Sequence, residues 1–519
     1  MKAHLLFKDH DFDPEQKLPW NDTELTKDLE LNTLLEAMSS DNDFLFKTAK
    51  SVIMSGPGND SGTILFRQDI LRDCLNNPST VRDIYSIAEE SIVKEKKNYW
   101  SITSKYPTSI LFRSVEVLKM FVDMLRKLVT VVDEHAEKFE SQGFTSLFSM
   151  LRSELDDEYF VIIRKHLAKL KFQDGVLISA GLGKGNKGNN YILRKLPGKK
   201  LSWLERIIVH YIFPGMKDGD ESRLGRVFEK NQPSYTFDIS SRDDSGVRAL
   251  NELHDKGINL VANALAQSND HILGFFKGLQ TELAFYIGCL NLHDELKQIG
   301  LPAAFPYPEE PGRRVHSFKG LYDVCLALTI KQKVVGNEAV ADNKNLIIIT
   351  GANRGGKSTF LRSIGLSQLM MQSGMFVPAE SFRANLCDSL FTHFKKGEDF
   401  TMKSGKLDEE LSRMNRMVDN ITPYSILLFN ESFAATNERE GSEIARHIVS
   451  ALSEKHIKVF FVTHLFKFAF GFYERMNNDI FFLRAERKDD GTRTYKLTEG
   501  EPLETSYGVD LYDKIFGNA

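Results

Sequence analysis

The sequence predicts an α/β domain in its C-terminal part, preceded by a mainly α-helical region. Three observations carry this. Leu346 to Thr350 form a buried-strand run that enters a glycine-rich turn and then a helix-forming stretch, FLRSIGLSQLMMQ. From about residue 325 onward, short apolar runs alternate with helical patterns, as strands joined by crossover helices do. From about 26 to 170, and again from 246 to 299, apolar residues recur every three or four positions.

In chain order, residues 1–25 are polar and read as an arm. The stretch holding Phe112, Val115, Leu118, Phe121, Val122, Leu125, Leu128, Val129 and Val132 predicts one helix of about thirty residues, roughly 45 Å long. VLISAGLGKGNKGNNYILRKL, near 174–197, reads as a hairpin inserted into the helical region, its tip made of Gly, Asn and Lys. The charged segment 216–245 reads as surface. In the second helical stretch, Gly257, Gly274, Gly278 and Gly288 predict a kink or an interruption. LPAAFPYPEEPGRR reads as a linker. The expected domains are therefore the arm 1–25, a helical domain 26–324 and an α/β domain 325–519.

Composition bounds the function. A chain of 519 residues holds two to four domains, and a net charge of −4 requires any nucleic-acid contact to come from local basic patches. Cys74, Cys289, Cys325 and Cys387 lie far apart with no C-x-x-C pair, which argues against a zinc site or disulfide framework and fits a reducing, cytoplasmic setting. The N-terminus lacks the apolar core of a signal peptide. VFFVTHLFKFAFGF is interrupted by His464 and Lys467, so no membrane span is expected.

The chemistry concentrates in the last domain. Gly351, Gly356, Lys357 and Ser358 fit G-x-x-x-x-G-K-[ST] without a mismatch. In such a turn, Gly351, Ala352, Asn353, Arg354, Gly355, Gly356 and Thr359 wrap backbone around a phosphate. Lys357 reaches the β/γ-phosphates and the Ser358 hydroxyl binds Mg²⁺. SILLFNES ends a strand in Asn430 and Glu431, where a carboxylate can orient or deprotonate the water that attacks a γ-phosphate. A solvated strand-end carboxylate is the bland alternative. KVFFVTH ends a second strand in His464, which can contact the γ-phosphate or be a satisfied core histidine. KGEDFTMKSGKLDEELSRM leads from a loop into a helix with Leu407, Leu411, Met414 and Met417 on one face, and SYGVDLYDKIFG reads as the start of a closing helix.

These pieces, in this order, resemble the MutS family of DNA mismatch-repair ATPases. TGANRGGKSTFLRSIGLSQLMMQSGMFVPA looks like that family's phosphate loop and following helix, and NESFAATNEREG, FVTH and SYG match later motifs. ILFRQDILRDCLNNPSTVRDIY and TELAFYIGCLNLHDEL look like parts of its helical lever domain. The resemblance implies an ABC-type, P-loop ATPase domain with a mixed sheet flanked by helices, behind a helical lever. ATP would sit on Gly351 to Thr359, with Ser358 and the neighbouring Asn430 at Mg²⁺, Glu431 as catalytic carboxylate and His464 at the γ-phosphate. Active sites of the family are composite across a dimer, and KSGKLDEEL would reach the partner's nucleotide.

Departures from the family pattern are equally specific. Asn430 stands where the family has Asp, removing one negative charge beside the metal. Lys406-Leu407 stand where Ser/Thr-Phe is common. Helical-domain residues begin by about 30, leaving no room for an N-terminal mismatch-reading wedge, and no dimerisation module is expected after SYGVDLYDKIFG. The expected function is thus a homodimeric clamp on double-stranded DNA, mismatched or branched, strengthened and switched by ATP. Lys184, Lys187, Arg194, Lys195, Lys199 and Lys200 are the candidate phosphate contacts. The alternative is a nucleotide-gated scaffold for protein partners without DNA recognition.

Overall fold

The computed structural model of the protein describes residues 1–99, 107–169, 177–182, 188–194, 244–396, 405–475, 478–488 and 492–503. The chain divides into two compact units. The first comprises Met1–Ala3, Arg82–Glu137 and Ser146–Gln280; the second comprises His4–Val81, Lys138–Thr145 and Thr281–Ala519.

Among its described residues the first unit is helical apart from one hairpin. Its central helix, Pro107–His135, buries Leu111, Val115, Leu118, Phe121, Val122, Leu125, Leu128 and Val132 along one stripe. Phe112, expected on that stripe, is 66% exposed because it stands one position off the buried repeat. Phe121 meets Phe276 at 6.0 Å, and Asn269 donates to the Ser114 carbonyl at 2.9 Å. Phe276 and Asn269 belong to Asp244–Ile299, a single helix of 56 residues. The interior glycines do not interrupt it. Tertiary burial of Phe276, Leu279, Leu283 and Phe285 outweighs the cost of about 1 kcal/mol per glycine, and Gly288 is used for packing, since a Cβ there would lie 3.2 Å from Met38 Cε. Strands β1 (Leu177–Leu182) and β2 (Gly188–Arg194) pair antiparallel.

The second unit is built on two sheets. Its strands are β3 (Tyr307–Glu309), β4 (His316–Leu321), β5 (Asn337–Val340), β6 (Leu346–Gly351), β7 (Ser381–Asn385), β8 (Leu390–Phe394), β9 (Ile426–Asn430), β10 (Lys458–Val462), β11 (Ile480–Arg487) and β12 (Arg493–Glu499). One sheet has the order β12-β11-β6-β10-β9-β8, parallel except for the edge pair β11–β12. The other has the order β3-β7-β4-β5. β6 and β10 are buried at every position and β9 at all but its last, so they read as unbroken apolar runs rather than alternating ones. The helix Lys357–Gln372 after β6 is also embedded. Its Gln368 and Gln372, fully buried, bond to the Asn385 and Cys387 carbonyls.

Two expectations are corrected here. The segment read as a linker supplies β3, where buried Glu309 pairs with Arg383. The first dozen residues, read as a polar arm, are partly buried. Leu5 and Leu6 are fully covered, and the backbone N–H groups of Leu5, Leu6 and Phe12 all donate to the buried Glu282 carboxylate. Few apolar residues are needed when one carboxylate satisfies three backbone donors. Among the described residues no helix is long and apolar enough to cross a membrane.

Candidate functional site

The site follows from how the parallel strands end. In register, Val462 of β10 lies beside Ile349 of β6 and Asn430 of β9, so the carboxyl ends of all three strands finish at one sheet edge. Open α/β sheets bind ligands at such edges. After β6 the chain turns sharply. Gly351 and Gly356 have φ of +106° and +90°, a region that L side chains rarely adopt, and a Cβ on Gly351 would lie 2.9 Å from the Ala485 backbone N. The turn opens into the N-terminus of Lys357–Gln372, whose free N–H groups and positive dipole end can receive an anion.

Lys357 is 5% exposed, and its ammonium donates to the Gly351 and Ala352 carbonyls at 2.8 and 2.9 Å. Burial pushes its pKa down to about 8, against the attraction of Glu431. A strongly desolvated cation inside a loop of backbone donors is matched to an anionic ligand. The Ser358 hydroxyl donates to Asn430 Oδ1 at 2.9 Å. That pair offers two hard oxygens to a small divalent cation that keeps most of its water.

Glu431 follows β9 directly and has φ of +56°, a strained conformation for a residue with a side chain. Its backbone N–H donates to the Val462 carbonyl at 2.9 Å, and its Oε1 accepts from His464 Nε2 at 2.9 Å. That hydrogen bond holds the carboxyl below the usual carboxylate range, so it is ionised and able to accept a proton near neutral pH. The structure therefore brings together Glu431 and His464, Ser358 and Asn430, and Lys357 with Glu431 close enough to feel its charge. The cluster Lys184, Lys187, Arg194, Lys195, Lys199 and Lys200 is different. The Arg194 side chain and the five lysines lie outside the described residues, as do the loop 397–404 and SYGVDLYDKIFG.

Several contributors were not anticipated. A cavity of about 500 Å³ adjoins the turn, lined by Ile330, Val335, Arg354, Thr359, Phe360 and Tyr495 among others. Tyr495 and Arg493 come from edge strand β12, and Arg493 Nε donates to the Asn353 carbonyl at 2.8 Å. Neither carried a local signal, because only the sheet order sets β12 beside the turn. The helix Lys406–Val418 also differs from expectation. It buries Glu410, Arg413, Met414 and Met417, while Leu411 is 38% exposed. These four positions have the spacing i, i+3, i+4, i+7 of one helix face, but two of them are charged, so an apolar period alone does not mark them.

Comparison with known proteins places the chain. Residues 59–299 match the family described as the MutS2 N-terminal domain, and residues 347–516 match MutS domain V. The chain is 25% identical over 295 residues to MutS protein homolog 4 of Mus musculus, covering 54% of this chain and 29% of that protein. It is 33% identical over 177 residues to the DNA mismatch repair protein MutS of Porphyromonas gingivalis, covering 33% and 19%. It is 28% identical over 307 residues to that of Lactococcus lactis subsp. cremoris, covering 56% and 36%. The aligned region thus spans between about a fifth and just over a third of the length of these relatives. With both family matches in sequence order along the chain, the chain belongs to the MutS family.

Proposed function

We propose that the chain binds ATP with Mg²⁺ on Gly351 to Thr359 and hydrolyses it, and that this P-loop ATPase switches a homodimeric, ATP-strengthened clamp on double-stranded DNA in repair of mismatched or branched sites. The observation that carries this reading is the meeting, at one sheet edge, of the Gly351–Lys357 turn, the Ser358–Asn430 oxygen pair and the Glu431–His464 pair. Each supplies a separate need of phosphoryl transfer.

In this reading the phosphates take the place of the two carbonyls now held by Lys357, and the helix N-terminus adds its backbone donors. The base enters the adjoining cavity, where Tyr495 offers a ring and Ile330 and Val335 offer apolar walls. Ser358 and Asn430 hold the cation, which offsets phosphate charge when bound. Glu431, ionised and fixed by His464, orients the attacking water and receives its proton. MutS relatives are named for DNA mismatch repair, which supports DNA as the partner.

The test pairs two substitutions. Glu431→Gln should retain ATP binding but lose turnover by about 10²-fold or more, the usual value of general-base help. Lys357→Ala should lose most of its affinity for ATP. Hydrolysis at the parental rate by the first, or tight ATP binding by the second, would overturn the assignment.

A further inference from the structure

We propose that Glu410 is a positioning residue for Glu431, so that the helix Lys406–Val418 acts on turnover through the backbone that aims that carboxylate; the inference rests on the proposed role of Glu431. Glu431 begins a three-residue turn in which it and Phe433 both have left-handed backbone, φ +56° and +62°, with fully buried Ser432 between them. Two non-glycine residues in that region persist only where surrounding contacts hold them. Here Glu410 provides the hold twice.

The Glu410 carboxylate accepts the Phe433 N–H at 2.9 Å, and Glu410 is 3% exposed. Its backbone carbonyl lies 3.0 Å from His393 Nε2, while His393 Nδ1 lies 2.7 Å from Ser432 Oγ. His393 is buried, and its pKa is pushed down to about 4 chiefly by that burial, so the ring is neutral. A carbonyl can only accept, so Nε2 carries the proton, and the Ser432 hydroxyl, with its one hydrogen, lies between two acceptors of His393, the ring Nδ1 and the backbone carbonyl at 2.5 Å. The ring also stacks on Phe433, with centroids 5.3 Å apart. Phe433 is thereby tied directly to Glu410, and Ser432 is tied to it through His393 of β8.

The same helix is fixed to strand β8. Fully buried Arg413 donates to the Phe394 carbonyl at 2.8 Å and pairs with Glu409 at 2.9 Å. A shift of the helix therefore pulls on Ser432 and Phe433, and through them on the backbone that aims the Glu431 carboxylate. The nucleotide-facing turn at Gly351–Lys357 has no bond in this network. Loss of Glu410 should accordingly act on turnover rather than on ATP binding.

Steady-state ATP hydrolysis by Glu410→Ala, Glu410→Gln and His393→Phe, each alone and combined with Glu431→Gln, tests this. Glu410→Ala should lower kcat about tenfold or more with KM for ATP within about twofold. Glu410→Gln keeps an oxygen for the Phe433 N–H and should recover most of the loss. His393→Phe keeps the stacked ring while removing its hydrogen bonds, and should also lower kcat at unchanged KM; it serves if Glu410→Ala does not fold. In the Glu431→Gln background none of the three changes should lower turnover further, because the group they position is already gone. A parental kcat in Glu410→Ala, a loss divided equally between kcat and KM, or full additivity with Glu431→Gln would overturn the inference while leaving the Glu431 assignment standing. Parental hydrolysis by Glu431→Gln alone would overturn both.

Discussion

Asn430 sits 2.9 Å from the Ser358 hydroxyl, where an aspartate would add a full negative charge beside the cation of the proposed site. A neutral carboxamide oxygen still offers a hard donor but attracts a divalent ion less strongly. Asn430→Asp should therefore lower the Mg²⁺ concentration needed for half-maximal ATP hydrolysis; an unchanged or higher requirement would count against Ser358 and Asn430 as the cation's residues. His316 makes a second residue-scale prediction. It is fully buried against Phe318, Phe382 and Phe460, neither ring nitrogen has a hydrogen-bond partner, and burial with the nearby Lys458 charge holds its pKa well below that of free histidine. Above about pH 6.5 both folded and unfolded forms carry a neutral ring. Below that value the unfolded chain takes up a proton that the folded one refuses, so stability falls as pH falls. His316→Phe should flatten this acid limb in thermal unfolding between about pH 6.5 and 4.5. An unaltered slope would show that other groups, the buried His393 among them, set the acid sensitivity.

Elements hold one another here through buried polar residues as much as through apolar contact. Glu282, 1% exposed on the helix Asp244–Ile299, accepts three backbone N–H groups from residues 5–12. Arg67, on Ser61–Asn76, donates to the Leu6 carbonyl at 2.8 Å and lies over the Phe7 ring, and Tyr286 donates to the Leu5 carbonyl at 2.6 Å. Each buried donor left without a partner costs about 1–3 kcal/mol. Glu282→Ala should then destabilise the second unit by roughly 3 kcal/mol or more, while Glu282→Gln, which keeps one acceptor oxygen, should cost less. Thermal or urea unfolding measures both, and equal midpoints for Glu282→Ala and the parent would show that the segment contributes nothing to the fold. Charged residues at helical core spacing, Glu410 and Arg413 as well as Glu282 and Arg67, are the elements' shared device.

At the scale of the whole molecule the question is what the proposed ATP turnover would drive. A net charge of −4 leaves DNA attraction to local groups, and Lys184, Lys187, Arg194, Lys195, Lys199 and Lys200 are the densest basic stretch near the hairpin. If these contact phosphates, double-stranded DNA should stimulate ATP hydrolysis, and the stimulation should fall steeply with salt, because releasing counterions into a saltier solution gains less free energy. Replacing the six by Ala should shrink that salt dependence. ATP turnover indifferent to DNA at low salt would instead favour a nucleotide-gated scaffold for protein partners. Competition among perfect, mismatched and branched duplexes, with and without ATP, would then name the DNA structure.

Local sequence determined the strand, turn and helix around Gly351 to Gln372, because a parallel strand buried on both faces must be a short apolar run and a left-handed turn needs glycine at fixed places. It likewise placed Asn430, Glu431 and His464 at strand ends, and the length of the helix about Phe121 followed from its apolar period. Local sequence could not join residues 4–81 and 138–145 to the sheets, nor bring Arg493 and Tyr495 beside the turn, because strand order and long-range contacts leave no trace in the period of a single segment. The 56-residue helix passes through its glycines for the same reason: neighbours remote in sequence bury its apolar residues. The hold of Glu410 on Phe433 was also hidden, since a carboxylate reads as a solvent residue until the fold removes its water and supplies a backbone donor instead.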